Sequence, residues 1–168
     1  MMTTAIKALA PFKPEPWQLA ALRDKSFICL MTGSAGGGKS RTAAEKLHAY
    51  ALKYPGVSIL AMRKAREHAT KSCVNMLKRV IGGDKSARYV KSELTFRYQN
   101  GSAIFVGGMV NEDQREAVRS IGQEGALGMV WMEEATAFIE QDFNELIARM
   151  RDTTAPWMQI ILTTNPDA

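Results

Sequence analysis

Apolar residues along this chain gather in short unbroken runs. Between the runs they recur every three or four positions. The runs at 27–32 (FICLMT), 57–62 (VSILAM), 128–132 (GMVWM) and 158–162 (MQIIL) have strand length and predict strands buried in a sheet. Helical spacing is found over 17–24, with Leu19 and Leu22 inward, and over 40–53, with Ala43, Ala44, Leu47, Ala51 and Leu52 on one face. It returns over 66–81, through Ala69, Cys73, Met76, Leu77, Val80 and Ile81, and over 138–150. Pro55-Gly56 and Gly82-Gly83 supply helix stops. Segments 94–98 and 103–106 flank Gln99-Asn100-Gly101-Ser102, and Asn-Gly is a strong hairpin signal. Three prolines, Pro11, Pro14 and Pro16, predict an extended arm over 1–16. Buried strands alternating with helices predict an α/β fold with a mostly parallel sheet flanked by helices, and the hairpin as an antiparallel insertion. Ligands of such sheets sit beyond the carboxyl ends of the strands.

Composition narrows the picture only a little. The 168 residues suffice for one domain with a core, and 46% apolar against 23% charged residues is ordinary for a soluble protein. No run approaches the roughly 18 apolar residues of a membrane span, and no secretory signal is expected. Two cysteines, Cys29 and Cys73, are too few for a disulfide framework or a zinc site, which points to a reducing cytosolic setting. The net charge of +5 is compatible with a polyanionic partner without demanding one. His48 and His68 read as structural, with no partner in view.

The chemistry begins at residues 33–40, GSAGGGKS, which fit G-x-x-x-x-G-K-[ST] between a predicted strand and a predicted helix. Residues without side chains let successive amides of Gly33, Ser34, Ala35, Gly36, Gly37 and Gly38 curl around phosphate oxygens. The helix behind adds unpaired N–H groups and a positive dipole end. Lys39 would place its ammonium between the β- and γ-phosphates of a nucleotide, and Ser40 would offer its hydroxyl to Mg2+. The bland reading is a flexible glycine turn with an incidental lysine.

Two further stretches lie at predicted strand ends. MVWMEE delivers Glu133 and Glu134 from an apolar strand, like a Walker B element. Glu133 would hold Mg2+ and Glu134 would polarise the attacking water. Glu in place of the usual Asp extends the first acid by about 1.5 Å, which favours contact with the metal through water. An acidic helix cap is the competing reading. ILTTNP presents Thr163, Thr164 and Asn165, which either sense the γ-phosphate or start a turn.

Taken in order, PEPWQLAAL, GSAGGGKS, ILAMRKAREHA, FRYQNGSAIFVGG, AVRSIGQEGALGMVWMEEAT and ILTTNP resemble the ATPase domain of the large terminase subunit of tailed bacteriophages. The resemblance covers nearly the whole chain. It implies a RecA-like P-loop NTPase core of the additional-strand, catalytic-glutamate type over 17–168, powering translocation of double-stranded DNA into a prohead. Gln18 then matches an adenine-reading glutamine. Gly33, Gly38, Lys39 and Ser40 match the phosphate loop, with Arg41 beside it. Glu133 and Glu134 match the Walker B pair, and Thr163, Thr164 and Asn165 match the motif coupling hydrolysis to movement. Arg119 falls where related motors carry an arginine finger, with Arg115 and Arg41 as rivals. The turn Arg63-Lys64-Ala65-Arg66 is either a phosphate contact or a solvated helix start.

The resemblance also implies a ring of subunits, portal and small-subunit partners, and a place in the host bacterial cytoplasm, transiently docked on the prohead. The family continues into an RNase H-like nuclease. The sequence stops three residues after Asn165, so no nuclease is expected in it, and a piece of a longer gene product is. Two other readings stay open: a helicase-like nucleic-acid-dependent ATPase, and a nucleotide-binding assembly module with little turnover.

Overall fold

The computed structural model describes residues 9–122 and 125–166. Its elements are α1 (Pro16–Arg23), β1 (Ile28–Thr32), α2 (Lys39–Lys53), β2 (Ser58–Met62), α3 (Arg66–Ile81), β3 (Ala87–Val90), β4 (Thr95–Tyr98), β5 (Ala103–Gly107), α4 (Glu112–Arg119), β6 (Met129–Glu133), α5 (Glu140–Arg149) and β7 (Gln159–Thr164). The strands form one sheet in the order β1-β7-β6-β2-β5-β4-β3. Strands β1, β7, β6, β2 and β5 run parallel, and β4 and β3 continue the sheet antiparallel.

Each face of the sheet buries a separate apolar layer. On one, Leu47 and Ala43 of α2 and Leu77 and Cys73 of α3 meet Ile59, Met129, Trp131 and Ile161. On the other, Val118 of α4 and Leu146 of α5 meet Leu60, Met62, Val130, Met132 and Ile160. Complete burial of a large apolar side chain contributes about 1.5–3 kcal/mol. The two layers therefore hold the carboxyl ends of β1, β6 and β7 rigidly side by side.

Three features differ from the sequence pattern. The run 27–32, expected to be buried, forms an edge strand: among the described residues β1 pairs only with β7, and Ile28 and Leu30 are 43% and 59% exposed. An apolar run records hydrophobicity, not how many neighbours the backbone has. The hairpin turns at Asn100-Gly101, where the Tyr98 amide donates to the Ser102 carbonyl at 2.9 Å. Its second strand, β5, joins the parallel set beside β2 rather than standing apart. The pattern does not predict strand β3 or helix α4. β3 is four residues long, and α4 (EDQREAVR) buries only Val118. A signal for α4 exists in Asn111, whose side chain accepts from the Gln114 amide at 3.0 Å as an N-cap.

The expected arm is described from residue 9, residues 1–8 lying outside the described residues. Its Leu9 amide donates to the Arg79 carbonyl at 3.2 Å. His48, read as structural, has partners that the sequence does not reveal. Its Nδ1 lies 2.8 Å from the Tyr98 hydroxyl and its Nε2 lies 3.3 Å from Asp84. Burial lowers its pKa despite that carboxylate.

Candidate nucleotide site

Strand β1 runs into the glycine loop, and the loop runs directly into α2. Gly38, the residue before the helix, has φ +83°, a region that L side chains rarely adopt. A Cβ there would also stand 2.7 Å from Gln18 Nε2. Backbone conformation therefore calls for glycine here, whereas the Gln18 amide is the end of a flexible side chain and could give way.

A cavity of about 390 Å³ opens above the loop. It is lined by residues 35–41, Met76, Glu133, Glu134, Thr163, Thr164 and Asn165. The three stretches singled out in the sequence thus converge on one space at the strand ends, where the sheet topology places a ligand.

Lys39 is 8% exposed, and its ammonium donates to the carbonyls of Gly33 (2.8 Å) and Ser34 (2.7 Å) and to Asn165 Oδ1 (2.9 Å). All three acceptors are neutral. The positive charge is solvated by the protein without being cancelled, so it remains available to an anion. Asn165, at the end of β7, ties the third stretch to the first. Behind it the buried Trp131 indole N–H donates to Thr163 Oγ1 at 2.8 Å, pinning β6 to β7. The Thr164 hydroxyl donates to the Asn165 carbonyl at 3.1 Å.

The two acids face different surroundings. The Ser40 hydroxyl donates to Glu133 Oε1 at 2.8 Å, and the Ser72 hydroxyl of α3 donates to Oε2 at 2.6 Å. Cys73 Sγ lies 3.5 Å from the same Oε2. Burial, and then the charge of Glu133, push the Cys73 thiol well up, which disfavours the thiolate. Glu134 lines the cavity with φ +55°, a left-handed conformation uncommon outside glycine. Such strain is held by surrounding structure and recurs at functional positions. The Glu134 carboxylate has no hydrogen bond or ion pair among the described residues.

The donor set suits the chemistry expected of it. A hydroxyl and a carboxylate 2.8 Å apart offer hard oxygen ligands, as Mg2+ prefers. Among the described residues no cluster of three or more His, Cys, Asp or Glu is placed to hold a metal. An ion here would complete its shell with water and ligand oxygens, the usual arrangement for Mg2+ beside a nucleotide.

Other sequence candidates are placed elsewhere. Arg41 lines the cavity but also binds the arm: it donates to the Ala10 carbonyl at 2.5 Å, stacks 4.9 Å from the Phe12 ring and pairs with Glu45 at 3.4 Å. Gln18 is buried behind Gly38, outside the cavity lining, and its Oε1 accepts from the Glu15 amide at 2.8 Å. Arg119 is also outside the lining. It is tied to Glu145 at 2.8 Å, to Glu116 at 3.3 Å and to Glu112. Arg115 binds Asp142 and Glu145, and Lys64 of the basic turn binds Asp142 at 2.5 Å. Sequence reasoning misses Ser72 and Met76. Met76 reads as one more core position of α3. Ser72 carries no motif; only the fold brings it to Glu133.

Comparison with known proteins agrees with this geometry. Residues 25–168 match the family described as phage terminase large subunit. The chain is 30% identical over 139 residues to the PBSX phage terminase large subunit of Bacillus subtilis strain 168, covering 81% of this chain and 30% of that relative. It thus spans less than a third of the relative's length. The large terminase of a thermophilic bacteriophage superposes with a TM-score of 0.73 at 16% identity, over 92% of this chain and 40% of that one. The ATPase domain of the Thermus phage P74-26 large terminase does so at 0.64 and 17%, over 94% of this chain and 67% of that one. The thermophilic phage's large terminase in complex with ATP-gamma-S matches at 0.65 and 17%, over 89% of this chain and 37% of that one. These structural likenesses establish a shared RecA-like fold. With the family match over most of its length, this chain belongs to the phage terminase large subunit family.

Proposed function

We propose that this chain binds ATP in the glycine loop, hydrolyses it, and is the motor part of a terminase large subunit that drives double-stranded DNA into a prohead. The observation that carries the reading is the convergence of Lys39, Ser40, Glu133, Glu134 and Asn165 on one cavity at the ends of β1, β6 and β7. Loop amides and the N-terminus of α2 bind phosphate oxygens. Lys39 exchanges the Gly33 and Ser34 carbonyls for phosphate oxygens. Ser40 and Glu133 would hold Mg2+, and the ion would neutralise phosphate charge. Glu134, with no protein partner for its carboxylate, orients a water and accepts its proton as that water attacks the γ-phosphate. Asn165, bonded to Lys39, changes partner when Lys39 moves and so links phosphate occupancy to β7.

Arg119 is held away from this chain's own cavity by three carboxylates. A finger role on a neighbouring subunit's phosphate would require its release from them. A ring of subunits, portal and small-subunit partners, and transient docking on the prohead in the host bacterial cytoplasm complete the reading. Family membership supports these partners.

The test is Glu134→Gln. It should retain ATP binding and lower phosphate release by about 10²- to 10⁴-fold, measured with the complete protein and DNA. Unchanged turnover would remove Glu134 from the mechanism. ATP binding without any release by the wild type would instead favour a nucleotide-binding assembly module.

A further inference from the structure

Two hydroxyls from different helices bracket the Glu133 carboxylate. Ser40 of α2 donates to Oε1 at 2.8 Å, and Ser72 of α3 donates to Oε2 at 2.6 Å. Ser72 Oγ also lies 3.0 Å from the His68 carbonyl, four residues earlier, which is where a helical serine ordinarily donates. One hydroxyl has one proton and cannot serve both. A hydroxyl donating to a carboxylate gives a bond of about 2.5–2.7 Å, roughly twice as strong as a neutral one. The distances fit that choice, with the shorter contact to Glu133.

We infer that Ser72 is a positioning residue for the carboxylate on the metal side of the site. By fixing Oε2 it leaves Oε1 facing Ser40 and the cavity. The need follows from the residue at this place. Glu133 has one more rotatable bond than an aspartate, and its carboxylate reaches Ser40 only in a restricted set of rotamers. Ser72 removes that freedom. Cys73 Sγ lies 3.5 Å from the same Oε2. Helix α3 thereby becomes a wall of the site, since it also supplies Met76 to the cavity.

The inference rests on the proposed Mg·ATP site. It is tested by ATP affinity at rising Mg2+ and in EDTA, using Ser72→Ala and the pair Ser72→Thr and Ser72→Val. Removing an outer partner of a metal-holding side chain typically costs about 10- to 100-fold in metal affinity. Ser72→Ala and Ser72→Val should shift the Mg2+ midpoint upward by that factor and leave affinity in EDTA unchanged. Ser72→Thr, which keeps the hydroxyl in the same shape as valine, should restore the midpoint. Thermal unfolding in EDTA separates this effect from loss of fold. An unmoved midpoint in Ser72→Ala overturns the inference, as does Ser72→Thr behaving like Ser72→Val. Failure of the wild type to bind ATP in either condition would overturn the underlying functional reading instead.

Discussion

Two cationic clusters lie at the carboxyl side of this sheet, and they are built oppositely. Around the glycine loop, Lys39 is held by two carbonyls and an amide oxygen. Between α4 and α5, Lys64, Arg115 and Arg119 meet Asp142, Glu145, Glu112 and Glu116, so four acids face three bases. Glu145 and Glu112 push the Arg119 guanidinium still further up. An anion arriving at Lys39 meets a positive charge with nothing to displace except neutral dipoles. An anion arriving at Arg119 must first break ion pairs. The first cluster leaves its charge open to an anion, whereas the second ties α4, α5 and the β2–α3 turn together.

That contrast can be tested from its strongest consequence downward. Lys39→Ala should weaken ATP binding by about 2–5 kcal/mol, the usual effect of truncating one side of a desolvated charge pair. Its unfolding midpoint in the absence of nucleotide should be much less affected. Calorimetry with retained ATP affinity would dissolve the distinction between the clusters.

Asp142→Ala should do the reverse. It leaves Lys64 and Arg115 without their completely buried partner and should cost about 3–5 kcal/mol in denaturant unfolding, with little effect on the nucleotide site. This loss depends on pH. Burial raises the Asp142 carboxyl, but hydrogen bonds from Lys64, the Ile139 amide and Arg115 outweigh it and hold the carboxyl below its ordinary value. The folded form therefore binds fewer protons than the unfolded form. The contribution is present above the unfolded value of about 3.9 and is lost as pH falls through the lower folded one. The gap between wild type and Asp142→Ala should accordingly narrow in strong acid.

The smallest expected effect is that of Arg119→Ala. ATP affinity of the single chain should not change, because Arg119 does not line its cavity. Reduced affinity in a monomeric preparation would bring Arg119 into the chain's own site and erase the comparison.

Much of the candidate nucleotide site is legible in the amino-acid order alone, because its residues are local and chemically unusual. A loop of glycines with Lys39 and Ser40 has few other physical uses between a strand and a helix, and two acids ending an apolar run stand out for the same reason. Arg119 shows the limit of this. Its position is readable, and so is Glu112 two turns back on the same helix, but its ion pair with Glu145 crosses from α4 to α5, which no spacing rule specifies. Ser72 is plainer still: a serine one position before a core cysteine carries no signal until the fold brings it to Glu133 at the end of β6.

By itself the sequence determined the alternation of strands and helices, the hairpin at Asn100-Gly101 and the phosphate loop, since each depends on neighbours within a few positions. Tertiary structure alone decided that among the described residues β1 pairs only with β7, that β5 joins the parallel set, and that Lys39 meets Asn165 126 residues away. Those outcomes depend on which surfaces pack together, and packing brings together residues whose separation along the chain leaves no periodic trace.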